Sequence, residues 1–446
     1  MRIALVVHKF PPASVGGTEV YTYSLARALS QRHNVYVFYR DDGDGDLFRE
    51  EWQQREGFTA WRVGRAFHAS QANPAALFLD TFLNPDIERS YRNFLTSVKP
   101  DVVHFQHVMS LSYRLIAQTK KQGLPCLVTL HDYWFICANS QLVWPDGQIC
   151  KAKNWGLNCV RCASVRVGKS WAKFAGPIIA PVFRMRDKLV RRALLKADLL
   201  ISPSQFLINR YTEEGFPEMR FVLLENGIDV SKIRSEVWQP SPDGRLRVTY
   251  LGALAWQKGV HIIVEAFRDI PPGRAVLRVL GNPNIFPEYT ERLRQLANRA
   301  NTFFEGLIPN EQIGHVLANS DIIVVPSLWY ENSPVVIQEA RAMGIPIIAS
   351  AHGALCEKVR DGVDGLLLPP GDVAAWRAAM QRLLDEPDLL PRLRAGVRPP
   401  MTMEQHVDRL EALYAGCVPI SSGLAALQDN CEQFPATIVD RTPSSW

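Results

Sequence analysis

The chain has 446 residues, 47% of them hydrophobic, which is enough for two domains with a core each. Fifty Lys and Arg against forty-five Asp and Glu leave a net charge of +5, too mild to call for nucleic acid, and no apolar run approaches the ~18 residues of a membrane span. The opening MRIALVVHKFPP is too short in apolar residues for a leader and has no small-residue cleavage site, so it reads as a first strand. Eight cysteines in so long a chain then point to a reducing cytoplasm.

Residues 3–7 form a buried strand, residues 11–17 a Pro/Gly turn, and residues 18–30 an amphipathic helix. Gly16 and Gly17 let the backbone approach an anion at the helix start, although the same pair serves a plain tight turn and the three-glycine dinucleotide fingerprint is absent. Residues 34–39 are a second strand, followed by Asp41, Asp42, Asp44 and Asp46, which read as a solvated loop; Asp41 lacks the glycine pattern of a ribose-binding acid in an NAD enzyme. Strands recur at 101–105 and 126–130. The latter runs into His131, and a histidine at a strand's carboxyl end can meet the ligand crevice of an open α/β sheet. His104 and His107 alternate along their own strand and read as structural.

An irregular insertion then holds Cys137, Cys150, Cys159 and Cys162. Cys159-x2-Cys162 has the knuckle spacing and two thiols precede it, so one structural Zn²⁺ in a closed tetrahedral site is expected, against unliganded thiols, a disulfide or an iron-sulfur cluster. The next stretch, 161–196, carries ten Lys or Arg and one acid, with Trp171, Phe174, Ile178, Ile179 and Phe183 among them. It is either a helix pair with an apolar core face and a basic solvent face, or an interfacial patch that faces an anionic membrane. Strands follow at 197–202 and 220–229, and residues 238–245, with two prolines and a glycine, are the expected linker.

The second half starts with a strand at 247–251, Gly252, and Lys258-Gly259 ahead of a helix at 260–267; a lysine there is a phosphate clamp or a surface charge. Strands follow at 276–281 and 302–306. The densest stretch is 322–350: two short apolar strands, 322–325 and 345–349, with a helix between them that Ser333 can cap, Pro334 can enter, Gly344 can end and Pro346 can stop. Glu331 lies in the turn before that helix and Glu339 inside it, so both can face the crevice, although a carboxylate at a helix start is also what a solvated cap looks like. Cys356 lies in a glycine-flanked loop as a bystander, 376–384 and 403–414 are helical, and 419–446 shows no periodicity and reads as a flexible tail.

Glu331-x7-Glu339, with Pro326-Ser327 ahead of it and Ala340, Gly344 and Pro346 behind, resembles the donor-sugar signature of retaining glycosyltransferases of family 4, a resemblance that runs over residues 1–415. It implies an α/β chain of GT-B type: Rossmann-like αβα domains over 1–238 and 239–395, a cleft between them, and a last helix within 396–418 that crosses back. It implies that Glu331, with Asn332 and Ser333 beside it, binds the transferred sugar, that Glu339 binds the nucleotide ribose, and that His131 lies near the sugar. Gly16, Gly17, Gly252, Lys258 and the Gly353 loop would serve phosphate or sugar, and the backbone at Ile308 the nucleobase. Where the family has an arginine after the first glycine of the second domain, this chain has Ala253.

The implied activity is transfer with retention from a UDP- or GDP-sugar to a glycan or lipid-linked acceptor in cell-surface polysaccharide synthesis. It needs no catalytic cofactor and no nucleic acid, and runs in the cytoplasm or peripherally at the inner membrane face. No nucleophile is evident, which favours front-face displacement. Two rivals are a nucleotide-sugar binding protein without transfer, for which Ala253 speaks, and a zinc-ribbon nucleic-acid binder built on the cysteines.

Overall fold

The computed structural model describes residues 1–14, 16–43, 48–64, 74–168, 174–231, 233 and 236–416. Asp44, Asp46, Trp171 and the expected tail from 419 lie outside them. The chain divides into two compact units, one of Met1–Pro145, Cys150–Gly227 and the segment from Met403, the other of Asp146–Ile149 and Ile228–Thr402.

Among the described residues the first unit carries β1 (Arg2–Val7), β2 (Asn34–Asp41), β3 (Arg49–Gln54), β4 (Thr59–Gly64), β5 (Val102–Phe105), β6 (Cys126–Thr129), β7 (Leu199–Ser202) and β8 (Phe221–Leu223), in sheet order β3-β4-β2-β1-β5-β6-β7-β8. Every pairing is parallel except β3 with β4. The central strands are short and apolar because helices cover both faces: Ile3, Leu5, Val103 and Phe105 are fully buried. The β3–β4 hairpin and the helix Pro85–Val98 were not anticipated. The helix is marked by Asn84, whose side chain accepts from the Ile87 amide, and by Pro85 in its first turn. The helix Met403–Tyr414 belongs to this unit, where His406 meets Tyr21.

Asp41 is not part of a solvated loop, whereas Asp42 beyond it is exposed. Asp41 ends β2 and pairs with Arg62 at 2.7 Å, and Asp42 pairs with the buried Arg40 at 2.5 Å. Asp41 reads as solvent-exposed only until β4 presents Arg62 to it.

The second unit carries β9 (Leu246–Leu251), β10 (Ala275–Leu280), β11 (Thr302–Gly306), β12 (Ile322–Val325), β13 (Ile347–Ser350) and β14 (Gly365–Leu368), all parallel, in order β11-β10-β9-β12-β13-β14. The break between units falls after Gly227, ahead of the expected linker. Trp238 is already part of the second unit: its indole donates to Asp321 at 3.1 Å and stacks under Arg394. The helix Val335–Ala342 starts without a side-chain cap, since Pro334 takes the capping position and the Ser333 hydroxyl is buried without a partner. Ser333 is therefore not the cap that its position suggests.

Candidate functional site

In the second unit the carboxyl ends of β9, β12 and β13 gather Lys258, Ser327, Trp329, Glu331, Glu339 and His352. Gly259 makes this assembly feasible. Its φ is +67°, and a Cβ there would come within 1.8 Å of the Pro326 carbonyl oxygen, so only glycine lets the Lys258 turn lie against the loop after β12. Lys258 Nζ then reaches Glu331 Oε1 at 2.7 Å, and the same oxygen accepts from the Ser327 hydroxyl at 2.6 Å and the Trp329 indole at 2.9 Å. Burial pushes the Glu331 carboxyl up, but Lys258, Ser327 and Trp329 outweigh it and hold it below the ordinary 4.5. Glu331 is ionised, and the Lys258 charge is matched before any ligand arrives.

Glu339, in the helix Val335–Ala342, is the opposite case. No cation or donor among the described residues offsets its burial, and its carboxyl is pushed up to about 7. Two carboxylates of one motif therefore differ: one is locked and charged, the other is unpartnered and poised near neutrality. His352, pushed down to about 4 by burial, donates through Nε2 to the Ser327 carbonyl at 2.9 Å and braces the same loop. The Gly353 turn (φ +59°) lies against Tyr330. Gly252 follows β9, Ala253 after it is exposed, and Ile308 is half-buried in the loop after β11. Asn332 is buried beside Glu331.

In the first unit His131 follows β6, half-buried, and desolvation pushes it down to about 3, so it is neutral at pH 7. Its Nε2 meets Gln106 Oε1 at 2.9 Å. Around it stand residues that sequence reasoning left aside or did not single out. His8 follows β1, with Nε2 3.5 Å from Glu19 and Nδ1 buried without a partner. His107 follows β5, and its ring centroid is 4.5 Å from that of His8. The amide of Met109 donates to His107 Nδ1, so Nε2 carries the proton and donates to Asp132 at 3.1 Å. His104 is bound at both nitrogens, by Thr129 and Tyr414, and is structural in its geometry. The glycine turn is occupied from within: Glu19 folds back over Gly16, where a Cβ would come within 2.4 Å of its carboxylate. Gly17 opens the helix Gly17–Ser30.

The four cysteines of the insertion also lie in the first unit. Cys137 Sγ donates to Asn139 Oδ1 at 2.8 Å, and Asn139 Nδ2 donates to Cys162 Sγ at 3.4 Å. Burial raises the thiols of Cys150 and Cys159 to about 11 and about 12, and neighbouring thiols add to both. Asn139 thus bridges Cys137 and Cys162, yet among the described residues no three His, Cys, Asp or Glu side chains are arranged to hold a metal ion.

The pattern of the group 1 glycosyl transferases matches residues 233–398, and that of glycosyltransferase family 4 matches residues 15–232. Glycogen synthase of Mycobacterium tuberculosis is 25% identical over 429 residues, 91% of each chain. The amylovoran biosynthesis glycosyltransferase AmsK of Erwinia amylovora is 26% identical over 56% of this chain and 64% of its own. Among solved structures, sucrose-phosphate synthase from Thermosynechococcus elongatus has a TM-score of 0.67 at 21% identity, covering 93% of this chain and 98% of that one. Anabaena HepE, in complex with UDP and glucose, has a TM-score of 0.63 at 16% identity, covering 93% and 99%. These structural likenesses speak for fold, two Rossmann-like α/β domains of the GT-B type, and the adjoining sequence matches speak for more. The chain belongs to the family 4, group 1 glycosyltransferases.

Proposed function

We propose that this glycosyltransferase moves a sugar, with retention of anomeric configuration, from a UDP- or GDP-sugar to a glycan or lipid-linked acceptor in cell-surface polysaccharide synthesis, at or near an anionic membrane. The observation that carries the donor reading is the division of labour between Glu331 and Glu339. A charged carboxylate fixed by three donors suits a sugar hydroxyl that must be held in one orientation. An unpartnered carboxyl at the start of its titration suits a ribose diol, whose two hydroxyls supply the donors that Glu339 lacks. That HepE is solved with UDP and glucose supports a nucleotide-sugar donor.

In this reading the glycosidic bond to the leaving phosphate oxygen breaks as the acceptor oxygen bonds the anomeric carbon on the same face, and the acceptor's proton passes to that phosphate oxygen. Lys258 turns part of its charge from Glu331 to the diphosphate, while Ser327 and Trp329 keep Glu331 oriented. Backbone amides at Gly252 and Gly353 supply the remaining donors. His131 is neutral and takes no part as an acid.

The second reading, donor binding without transfer, is favoured by one observation: Ala253 removes a cation, and Lys258 is already matched by Glu331. Incubation of the purified chain with UDP- and GDP-sugars, with donor loss and the anomeric proton followed by NMR, separates the two. Donor consumed and an α-product from an α-donor supports the proposal. Tight donor binding with no turnover across lipid-linked and free acceptors overturns it in favour of the second reading, and an inverted product overturns retention.

A further inference from the structure

We propose that the helix Gly176–Leu194, with the turn at Trp155, is a docking face for an anionic membrane surface. This assignment deepens the lipid-linked-acceptor reading and rests on it for its purpose, though not for its geometry.

The helix has two apolar faces where a core helix needs one. Ala180, Phe183, Val190 and Leu194 are buried against the first unit. On the opposite side Phe174, just before the helix, and Ile178 are 80% and 81% exposed, followed by Val182 at 40% and Met185 at 55%. These positions advance by four, four and three residues, so they form one stripe along the solvent side. The stripe continues into Lys188, Arg192 and Lys196, all exposed. Its single acid, Asp187, is half-buried and spent on Lys153 and Arg186. Arg186 itself is fully buried, donating to the Trp134 carbonyl, so the cations that remain outside are those of the stripe and its flanks.

Trp155 extends the apolar end. Gly156 (φ +92°) lets its turn press on the helix so closely that a Cβ would lie 2.7 Å from the Ala180 carbonyl oxygen. That approach leaves Trp155 at φ +56°, a conformation rare for a bulky residue, with its ring 72% exposed and capped by the Arg184 guanidinium at 4.6 Å. A tryptophan held out of the core in this way suits the headgroup layer, where one end of the ring is wet and the other apolar. Beyond the cationic end lies a cavity of about 400 Å³ lined by Lys153, Lys188, Arg191 and Arg192, with Asp187 and Glu214. Cations beside a stripe of exposed apolar tips, with no unmatched acid, complement phosphate headgroups above acyl chains. Among the described residues no helix is long and apolar enough to cross a membrane.

The test is flotation of the full chain with vesicles of phosphatidylcholine alone and of phosphatidylcholine with phosphatidylglycerol, without donor or acceptor. Binding to the anionic vesicles only, reversed by salt, is expected. Lys188→Ala, Arg192→Ala and Lys196→Ala together should lower partitioning on the order of a hundredfold, at about fivefold per cation. Ile178→Asp with Met185→Asp should abolish it, while circular dichroism and UDP-sugar calorimetry stay unchanged. Those two controls separate loss of this face from loss of the donor site. Equal partitioning to both vesicle types, no binding to either, or wild-type binding by the aspartate variant overturns the assignment. So does a concentration-dependent dimer that the aspartate variant abolishes, since a second copy would then occupy the face.

Discussion

Replacing Glu339 with Gln should weaken nucleotide binding and at the same time stabilise the free protein. Burial raises its carboxyl from the ordinary 4.5 to about 7, so between those values the folded chain holds a proton that the unfolded chain has lost. Stability therefore falls as pH rises through this window, and the full cost is present above pH 7 and absent below about 4.5. At ~1.36 kcal/mol per pH unit the cost approaches about 3 kcal/mol; because Glu339 is only half-buried, water screens part of it, and roughly 1–3 kcal/mol is expected. Glutamine keeps the shape and stays neutral. For a unit of this size each kcal/mol moves Tm by about 2–4 °C. Scanning calorimetry of both proteins at pH 5 and pH 8 should show Glu339→Gln melting higher at pH 8, with the gap closing toward pH 5. Calorimetric titration with UDP and GDP should show lost affinity in the variant. In the wild type, affinity should decline below pH 7 by up to about tenfold per unit as the carboxylate is protonated. A variant that melts no higher at pH 8 would refute the unpartnered carboxyl, and one that binds both nucleotides normally would refute its role toward ribose.

Lys258→Met should cost about 2 kcal/mol at pH 8, because Glu331 would stay buried with only Ser327 and Trp329 to hold its charge. The loss should shrink as pH falls and Glu331 protonates, so a Tm unchanged at pH 8 counts against the locked pair. Gly259→Ala and Gly362→Ala both sit near φ +67°, but a Cβ meets the Pro326 carbonyl at 1.8 Å in the first and nothing within 4 Å in the second. The first should lose several kcal/mol and the second about 1; equal losses would mean that the close approach is not real. For Cys137, Cys150, Cys159 and Cys162 we propose one structural Zn²⁺ that clips the loop and leaves catalysis to other groups; it requires the four thiols to draw together from the arrangement in which Asn139 bridges Cys137 and Cys162. Metal well below one equivalent in protein purified without chelator, with all four thiols titratable in the folded state, removes that site.

Local sequence determined much of this molecule. The strands at 322–325 and 302–306 and the helices at 260–267 and 403–414 lie where periodicity and glycine or proline punctuation put them, because short buried strands and amphipathic helices are written in consecutive side chains. The Glu-x7-Glu spacing likewise marked the second unit's candidate site, since one turn and one helix carry both residues. What tertiary structure alone decided is the state of those groups. Nothing in the sequence tells that Lys258, seventy-three positions before Glu331, lies on its carboxylate, or that no donor among the described residues offsets the burial of Glu339. The histidines divide in the same way. His8, His107 and His131 each follow a separate strand, and only the sheet order β1-β5-β6 makes them neighbours. For the stretch that holds the helix 176–194, the sequence left two readings open, a helix pair with a basic solvent face and an interfacial patch that faces a membrane. That Phe174, Ile178 and Met185 are exposed follows from which face the first unit covers. Periodicity reports that a helix has an apolar side; the fold decides which of two apolar sides is buried, because burial is a property of the neighbours and not of the residue.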